Sequence, residues 1–195
     1  MPYPVSVTVE PQLENRDRLT TAFRLILAIP HIILVAAFRG GGAGLLGTAA
    51  YFLAIVSWFT LLITGEQLPG IRDFTLYYLR WRTRAVAYLA LFVDAYPPFG
   101  DAPYPTSIEV LAPPLPRDRA TIAVRLLLAI PHFVLLCFLL IGWLITSVIA
   151  WFAILFTGAY PPSLYPFGLG VMRWMLRVEA YLLLLVDEYP PFALE

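Results

Sequence analysis

The sequence has no lysine, a single cysteine (Cys137), and charges on only 13% of its 195 residues. Each shortage removes a class of protein. One cysteine in an apolar run builds neither a disulfide framework nor a cysteine-based metal site. Without lysine there is no phosphate-cradling loop ending in Gly-Lys. The 13 basic residues, all arginine, are balanced by 13 acidic ones. No basic excess therefore points to a nucleic-acid partner. None of Ser6, Ser57, Ser107, Ser147 and Ser163 sits in a nucleophile elbow. No catalytic residue is assigned, and no cofactor is expected.

What is abundant is apolar. Hydrophobic residues make up 60% of the chain, and the mean hydropathy is +0.77. Soluble domains average about 45–50% apolar and about 25% charged residues. A globule of this size could not hide so much apolar surface, so lipid is the expected solvent for part of it. The expected class is a mostly α-helical integral membrane protein.

The chain reads as two copies of one unit, 1–99 and 100–195. Arg24-Leu25-Ile26-Leu27-Ala28-Ile29-Pro30-His31 recurs as Arg125-Leu126-Leu127-Leu128-Ala129-Ile130-Pro131-His132, an offset of 101 residues. Trp58-Phe59, Thr64-Gly65, Arg80-Trp81 and Tyr96-Pro97-Pro98-Phe99 recur at an offset of 93. The extra eight residues of the first copy fall in its glycine-rich stretch from Arg39 to Gly44, which reads as a turn outside the core. Each unit opens with alternation, Val5, Val7 and Val9 against Ser6, Thr8 and Glu10, then Ile108 and Val110 against Ser107 and Glu109. That pattern predicts a short half-buried strand in each, and the two are candidates to pair.

Two apolar segments follow in each unit. In the first they cover about 19–38 and 45–63. In the second the run over about 121–156 is continuous, and a tight hairpin turning near Gly142 is expected there. A third segment, about 71–93 and 164–186, is helical in length but interrupted by arginine. Arg80, Arg82 and Arg84 in the middle of a span would cost roughly 8–10 kcal/mol if additive, at about 2.5–3.5 each. The expectation is an amphipathic helix lying at the interface. Arginines cluster on the side of the termini, which places both termini in the cytoplasm of a multi-pass protein. Two hairpins of one orientation imply a pseudo-two-fold axis along the membrane normal. The alternative is a spanning third helix, with inverted three-helix repeats as in many transporters.

The ordered set Arg24-Leu25-Ile26, Trp58-Phe59, Thr64-Gly65, Pro69, Phe74, a tyrosine-rich helix and Tyr96-Pro97-Pro98-Phe99 resembles the bacterial domain-of-unknown-function 4389 family. The second unit repeats the resemblance from Arg125 to Phe192. It implies a bacterial integral membrane protein and supplies no catalytic residues; the cytoplasmic membrane is the expected location.

Candidate site residues are few. Asp17, Arg24 and His31 are seven apart, as are Asp118, Arg125 and His132, so each trio shares a helix face. Arg24 and Arg125 are candidates to bind a lipid phosphate or another anion; snorkelling to the interface is the competing reading. His31 and His132 could hold haem or a metal across the pseudo-axis, or bond backbone groups freed by Pro30 and Pro131. Arg80 with Arg84, and Arg173 with Arg177, make basic ridges suited to anionic headgroups. The Tyr-Pro-Pro-Phe motifs read as rigid caps that pack on the bundle, with recognition by proline-binding domains as the alternative. Asp94 and Asp187 are expected to cap or to bond nearby arginine. The function expected from all this is a non-catalytic accessory, scaffold or lipid-interacting membrane component, working with membrane lipids and a partner membrane protein or as a homo-oligomer. A small transporter or channel is the alternative, and haem or metal binding the second.

Overall fold

The computed structural model describes residues 3–36 and 44–195. Among these are seven helices and two strands. The strands β1 (Val5–Val9) and β2 (Thr106–Val110) pair antiparallel. Val7 faces Ile108, its own counterpart at the 101-residue offset, so the local two-fold axis passes through this pair. The alternation works as read: Val5, Val7 and Val9 are buried, while Ser6, Thr8 and Glu10 are exposed.

In the first unit, α1 (Arg18–Leu27) is capped by Asp17, whose Oδ1 accepts from the N–H groups of Leu19 and Thr20. A bend of 42° at Ala28 leads into α2 (Ile29–Val35), with Pro30 in its first turn, where a missing N–H costs nothing. After α3 (Leu45–Thr64), Gly65 ends the helix at φ 81°, and α4 (Pro69–Leu89) follows. In the second unit, a short α5 (Arg119–Ala123), capped by Asp118, leads into α6 (Arg125–Thr157). Then comes α7 (Tyr165–Leu182).

The hairpin expected near Gly142 does not form. The chain stays helical for 33 residues, a length of about 50 Å. Leu140, Ile141, Trp143 and Leu144 flank Gly142, and the proline inside α6, Pro131, lies eleven residues earlier, so nothing at Gly142 stops the backbone hydrogen bonding of the helix. The first unit follows the same course. Arg18 lies against Gly158 at the end of α6, while Arg119 lies against Gly65 at the end of α3. The two ends of α6 are about 50 Å apart, so the start of α1 and the end of α3 are also far apart. They cannot be the two feet of a hairpin. Gly44 abuts the backbone of Leu34 and Ala36, so α3 takes up where α2 stops. The rest of the glycine-rich stretch expected to turn, 39–43, lies outside the described residues. Each unit therefore contributes one long apolar rod, and the two rods run antiparallel. Two tryptophans cross-link them: Trp58 Nε1 donates to the Ile122 carbonyl, and Trp151 Nε1 to that of Thr21, each at 2.9 Å.

The third helices are not surface helices. From Trp81 to Val93 nearly every residue of α4 and its exit is buried, and α7 follows suit. Rods pack on one side of α4 and α7, and the strand pair on the other. By length and composition α3 and α6 are apolar enough to cross a membrane, with the bent pair α1–α2 as a third candidate.

Candidate functional site

The arginines of the first helices end up at the C-terminus of α4. There the chain reverses through Leu91, which takes the left-handed φ of 64°. Phe92 N–H donates to the Ala87 carbonyl and Leu91 N–H to that of Tyr88, a Schellman-type close. Arg24 Nη1 donates to the carbonyls of Tyr88 (2.7 Å) and Val93 (2.8 Å), and Arg16 Nη1 to that of Leu91 (2.6 Å). Both Nη2 groups reach Asp94 Oδ1 at 2.5 Å. The Arg24 guanidinium lies 4.4 Å over the Tyr88 ring. Two cations thus sit at the negative end of the helix. Burial alone would raise the Asp94 carboxyl, but hydrogen bonds from Arg16 and the Asp17 N–H, with both arginine charges, hold it below the usual carboxylate range.

The second unit repeats the device. Leu184 has φ 61°. Arg125 Nη1 donates to the carbonyls of Tyr181 and Val186 at 2.8 and 2.9 Å, and Nη2 to Asp187 at 2.8 Å. Arg117 makes a two-pronged contact to Asp187, both bonds at 2.5 Å. Arg24 and Arg125 are buried, and of their donors only the Nε–H groups lack a partner. Their guanidinium ends are already engaged inside the protein. The aspartates do bond nearby arginine, as expected. The left-handed leucines were not legible: leucine at such a position breaks the preference for glycine.

The polar stripe is divided among three tasks. Asp17 and Asp118 cap helices, Arg24 and Arg125 brace the ends of α4 and α7, and the histidines are enclosed by aromatics. Trp81 Nε1 donates to His31 Nδ1, and Trp174 Nε1 to His132 Nδ1, each at 3.0 Å. Phe99 stacks on His31 with ring centroids 4.8 Å apart, and Phe192 on His132 at 4.2 Å. The Tyr-Pro-Pro-Phe motifs thus pack on the bundle. Among the described residues, no group of three or more His, Cys, Asp or Glu is placed to hold a metal.

The basic ridges hold the segments that follow those motifs and, through Arg173, the first strand. Arg84 bonds the Gly100 carbonyl and Asp101, with the half-exposed Arg80 3.9 Å from the same carboxylate. Arg177 bonds the carbonyls of Ala193 and Glu195, and Arg173 that of Val7.

One polar cluster was missed. Arg82 Nε donates to Glu179 Oε2 at 2.7 Å, Tyr78 OH donates to Oε1 at 3.0 Å, and Arg82 Nη1 caps α2 at the carbonyls of Val35 and Ala36. Both charged side chains are buried. Their counterparts in the other unit are Met175 and Val86. Two complementary departures from the repeat were the available signal: a lone arginine in one copy and a lone glutamate in the other. This pair lies on the floor of a cavity of about 920 Å³ between the rods.

The family described as "Domain of unknown function (DUF4389)" matches the chain twice, over residues 18–100 and 119–193. No curated protein and no solved structure matches it.

Proposed function

We propose that this chain, which belongs to the DUF4389 family in two tandem copies, is a non-catalytic, lipid-interacting membrane component that lies in one leaflet with its rods parallel to the membrane plane. The observation that carries this reading is the pairing of two antiparallel apolar rods with a polar strand pair on the opposite side of α4 and α7. Along α6 only a narrow stripe is buried; Leu127, Phe138, Ile141, Ile145 and Ile149 are among the many side chains left exposed. Water is a poor solvent for such a surface, and hydrocarbon a good one.

The orientation follows from charge. Antiparallel rods are exchanged by a two-fold axis perpendicular to both. If the rods crossed the bilayer, that axis would lie in the membrane plane and the strand pair at mid-depth. Glu10 and Glu109, exposed on the outer face of the strands, would then sit in or beside hydrocarbon. Intramembrane carboxylates cost about 2.5–3.5 kcal/mol each. With the axis along the membrane normal, the rods sink into lipid and the strands stay in water. Both termini then share a side, in keeping with the arginine distribution. In this reading Arg24 and Arg125 are internal braces, and lipid is engaged by the rods. The work is that of an accessory or scaffold component of a bacterial cytoplasmic membrane.

The test uses a Cys137→Ser background with a cysteine introduced at Glu14 or Glu66, which flank opposite ends of the first rod. An impermeant maleimide is applied to sealed vesicles of each orientation. Labelling of both sites from one face is the expected result. Labelling from opposite faces means crossing rods, and favours the small-transporter reading with inverted repeats. Release of the protein by alkaline carbonate overturns the membrane reading altogether.

A further inference from the structure

We infer that the groove between the rods is a binding site for the hydrocarbon chain of a bilayer phospholipid, an inference that rests on the membrane reading above. The groove is walled by α1, α3 and α6 and floored by α4 and α7, with a volume of about 920 Å³, within the range of roughly 300–1,000 Å³ usual for ligand sites. Its wall is continuous with the lipid-facing surface: Phe133, Leu140, Leu144 and Val148 line the groove and are also exposed. Whatever solvates the rods therefore has direct access to it.

The lining selects hydrocarbon. Its charged side chains are already paired within the protein, and among its neutral polar groups Trp143 Nε1 is left without a partner. Arg24 is spent on Asp94 and two carbonyls, Arg82 on Glu179 and the end of α2, and Trp151 on the Thr21 carbonyl. A polar ligand would find few groups to replace the water it gave up, whereas an acyl chain needs none. An acyl chain here also keeps water off the Arg82–Glu179 pair, whose attraction is strongest when dry.

The duplication makes the same recess twice. Arg24 and Leu25 face Trp151 and Phe152 in the large groove; Arg125 and Leu126 face Trp58 and Phe59 in a smaller one of about 360 Å³. Each forms where the start of one rod meets the end of the other. The recess is thus a product of the paired rods rather than a local packing fault.

The experiment releases the protein from vesicles of phosphatidylethanolamine and phosphatidylglycerol into a mild detergent and measures its native mass. The expected result is a retained phospholipid adduct. It is lost in Ser147→Trp, which projects an indole into the groove and obstructs it, and kept in Ile145→Trp, which places the same bulk on the outer face of α6. No adduct on the parent protein, or an adduct that survives Ser147→Trp, overturns the groove site. So does a mass of two chains without lipid, which assigns the groove to a second copy. Should Ser147→Trp fail to fold, a photoreactive benzophenone at Cys137 in the same vesicles replaces it. Cross-linking to phospholipid that persists after detergent exchange supports the site, and its disappearance overturns it. Carbonate-resistant membrane association is measured on the same samples. If it holds while the adduct is absent, the groove inference fails and the membrane reading stands.

Discussion

Trp81 donates its indole N–H to Nδ1 of His31 at 3.0 Å, and Trp174 and His132 repeat the bond at the same distance. The bond fixes which ring nitrogen carries the proton: Nδ1 accepts, so the neutral ring is protonated at Nε2. Phenylalanine at position 81 keeps most of the packing and removes the donor. The buried Nδ1 then lacks a partner, at a cost of about 1–3 kcal/mol. Trp174→Phe carries a similar cost. The two share no partner, so the double variant is expected to be additive within about 0.5 kcal/mol. Denaturant unfolding in detergent micelles measures all three.

Asp94 makes the arginine brace of the first unit sensitive to acid. Its carboxyl is held below the usual range in the folded protein. The stabilisation it provides is therefore complete above the unfolded value of about 3.9. It is lost as the pH falls through the lower, folded value. Asp94→Asn removes this dependence and leaves Arg16 and Arg24 without a counter-charge, at a cost of roughly 3–5 kcal/mol near neutral pH. Melting temperature followed from pH 7 down to pH 2.5 is the measurement. A parent protein and variant with parallel pH profiles would sink the assignment.

The pair joining Arg82 to Glu179 separates breaking a buried ion pair from replacing it. Glu179→Gln leaves a buried guanidinium against a neutral group and is expected to cost about 3 kcal/mol or more. Arg82→Met with Glu179→Val installs the residues that the other unit carries at each place. That double variant is expected to recover most of the loss, since well-packed apolar replacements of buried pairs are often neutral or stabilising. Equilibrium unfolding of Glu179→Gln and of the double variant measures the two costs against the parent.

The repeat was legible because it is written in residue identity, and the strands because alternation has only one period to satisfy; their pairing came from the structure. The aspartate–arginine contacts were half legible: Asp94 and Asp187 stand beside a chain stop, but nothing local says that Leu91 and Leu184 turn the carbonyls toward Arg24 and Arg125. Long-range geometry decided the rest. Charge made α4 and α7 look like interfacial helices. What charge alone did not show is that Arg82 finds Glu179 across the unit boundary and Arg84 the Gly100 carbonyl, so these arginines are satisfied within the protein. The hairpin expectation failed for a related reason. Run length alone does not distinguish two short spans from one long helix; the contacts of Arg18 with Gly158 and of Arg119 with Gly65 do.

Gly142 is where these two architectures make opposite predictions. At the tip of a hairpin, glycine is valuable for its backbone freedom and proline is a common neighbour. Inside α6, glycine is a weak point, and a substituted side chain finds room limited only by Phe167, whose ring edge lies 3.3 Å from the new Cβ. Gly142→Ala gains up to about 1 kcal/mol from helix propensity, offset in part by that contact. It is expected to fall between neutral and slightly stabilising. Gly142→Pro removes a backbone hydrogen bond and clashes with the preceding turn, costing about 3 kcal/mol or more. The cost spreads beyond α6, because the rod carries His132 and Leu136 on one side of position 142 and Trp151 on the other. Loss of the Trp151 contact to Thr21 would loosen the first unit as well. Helical circular dichroism and thermal unfolding in detergent, compared across the parent, Gly142→Ala and Gly142→Pro, read both effects. A proline variant as stable as the parent would restore the turn and remove the long second rod.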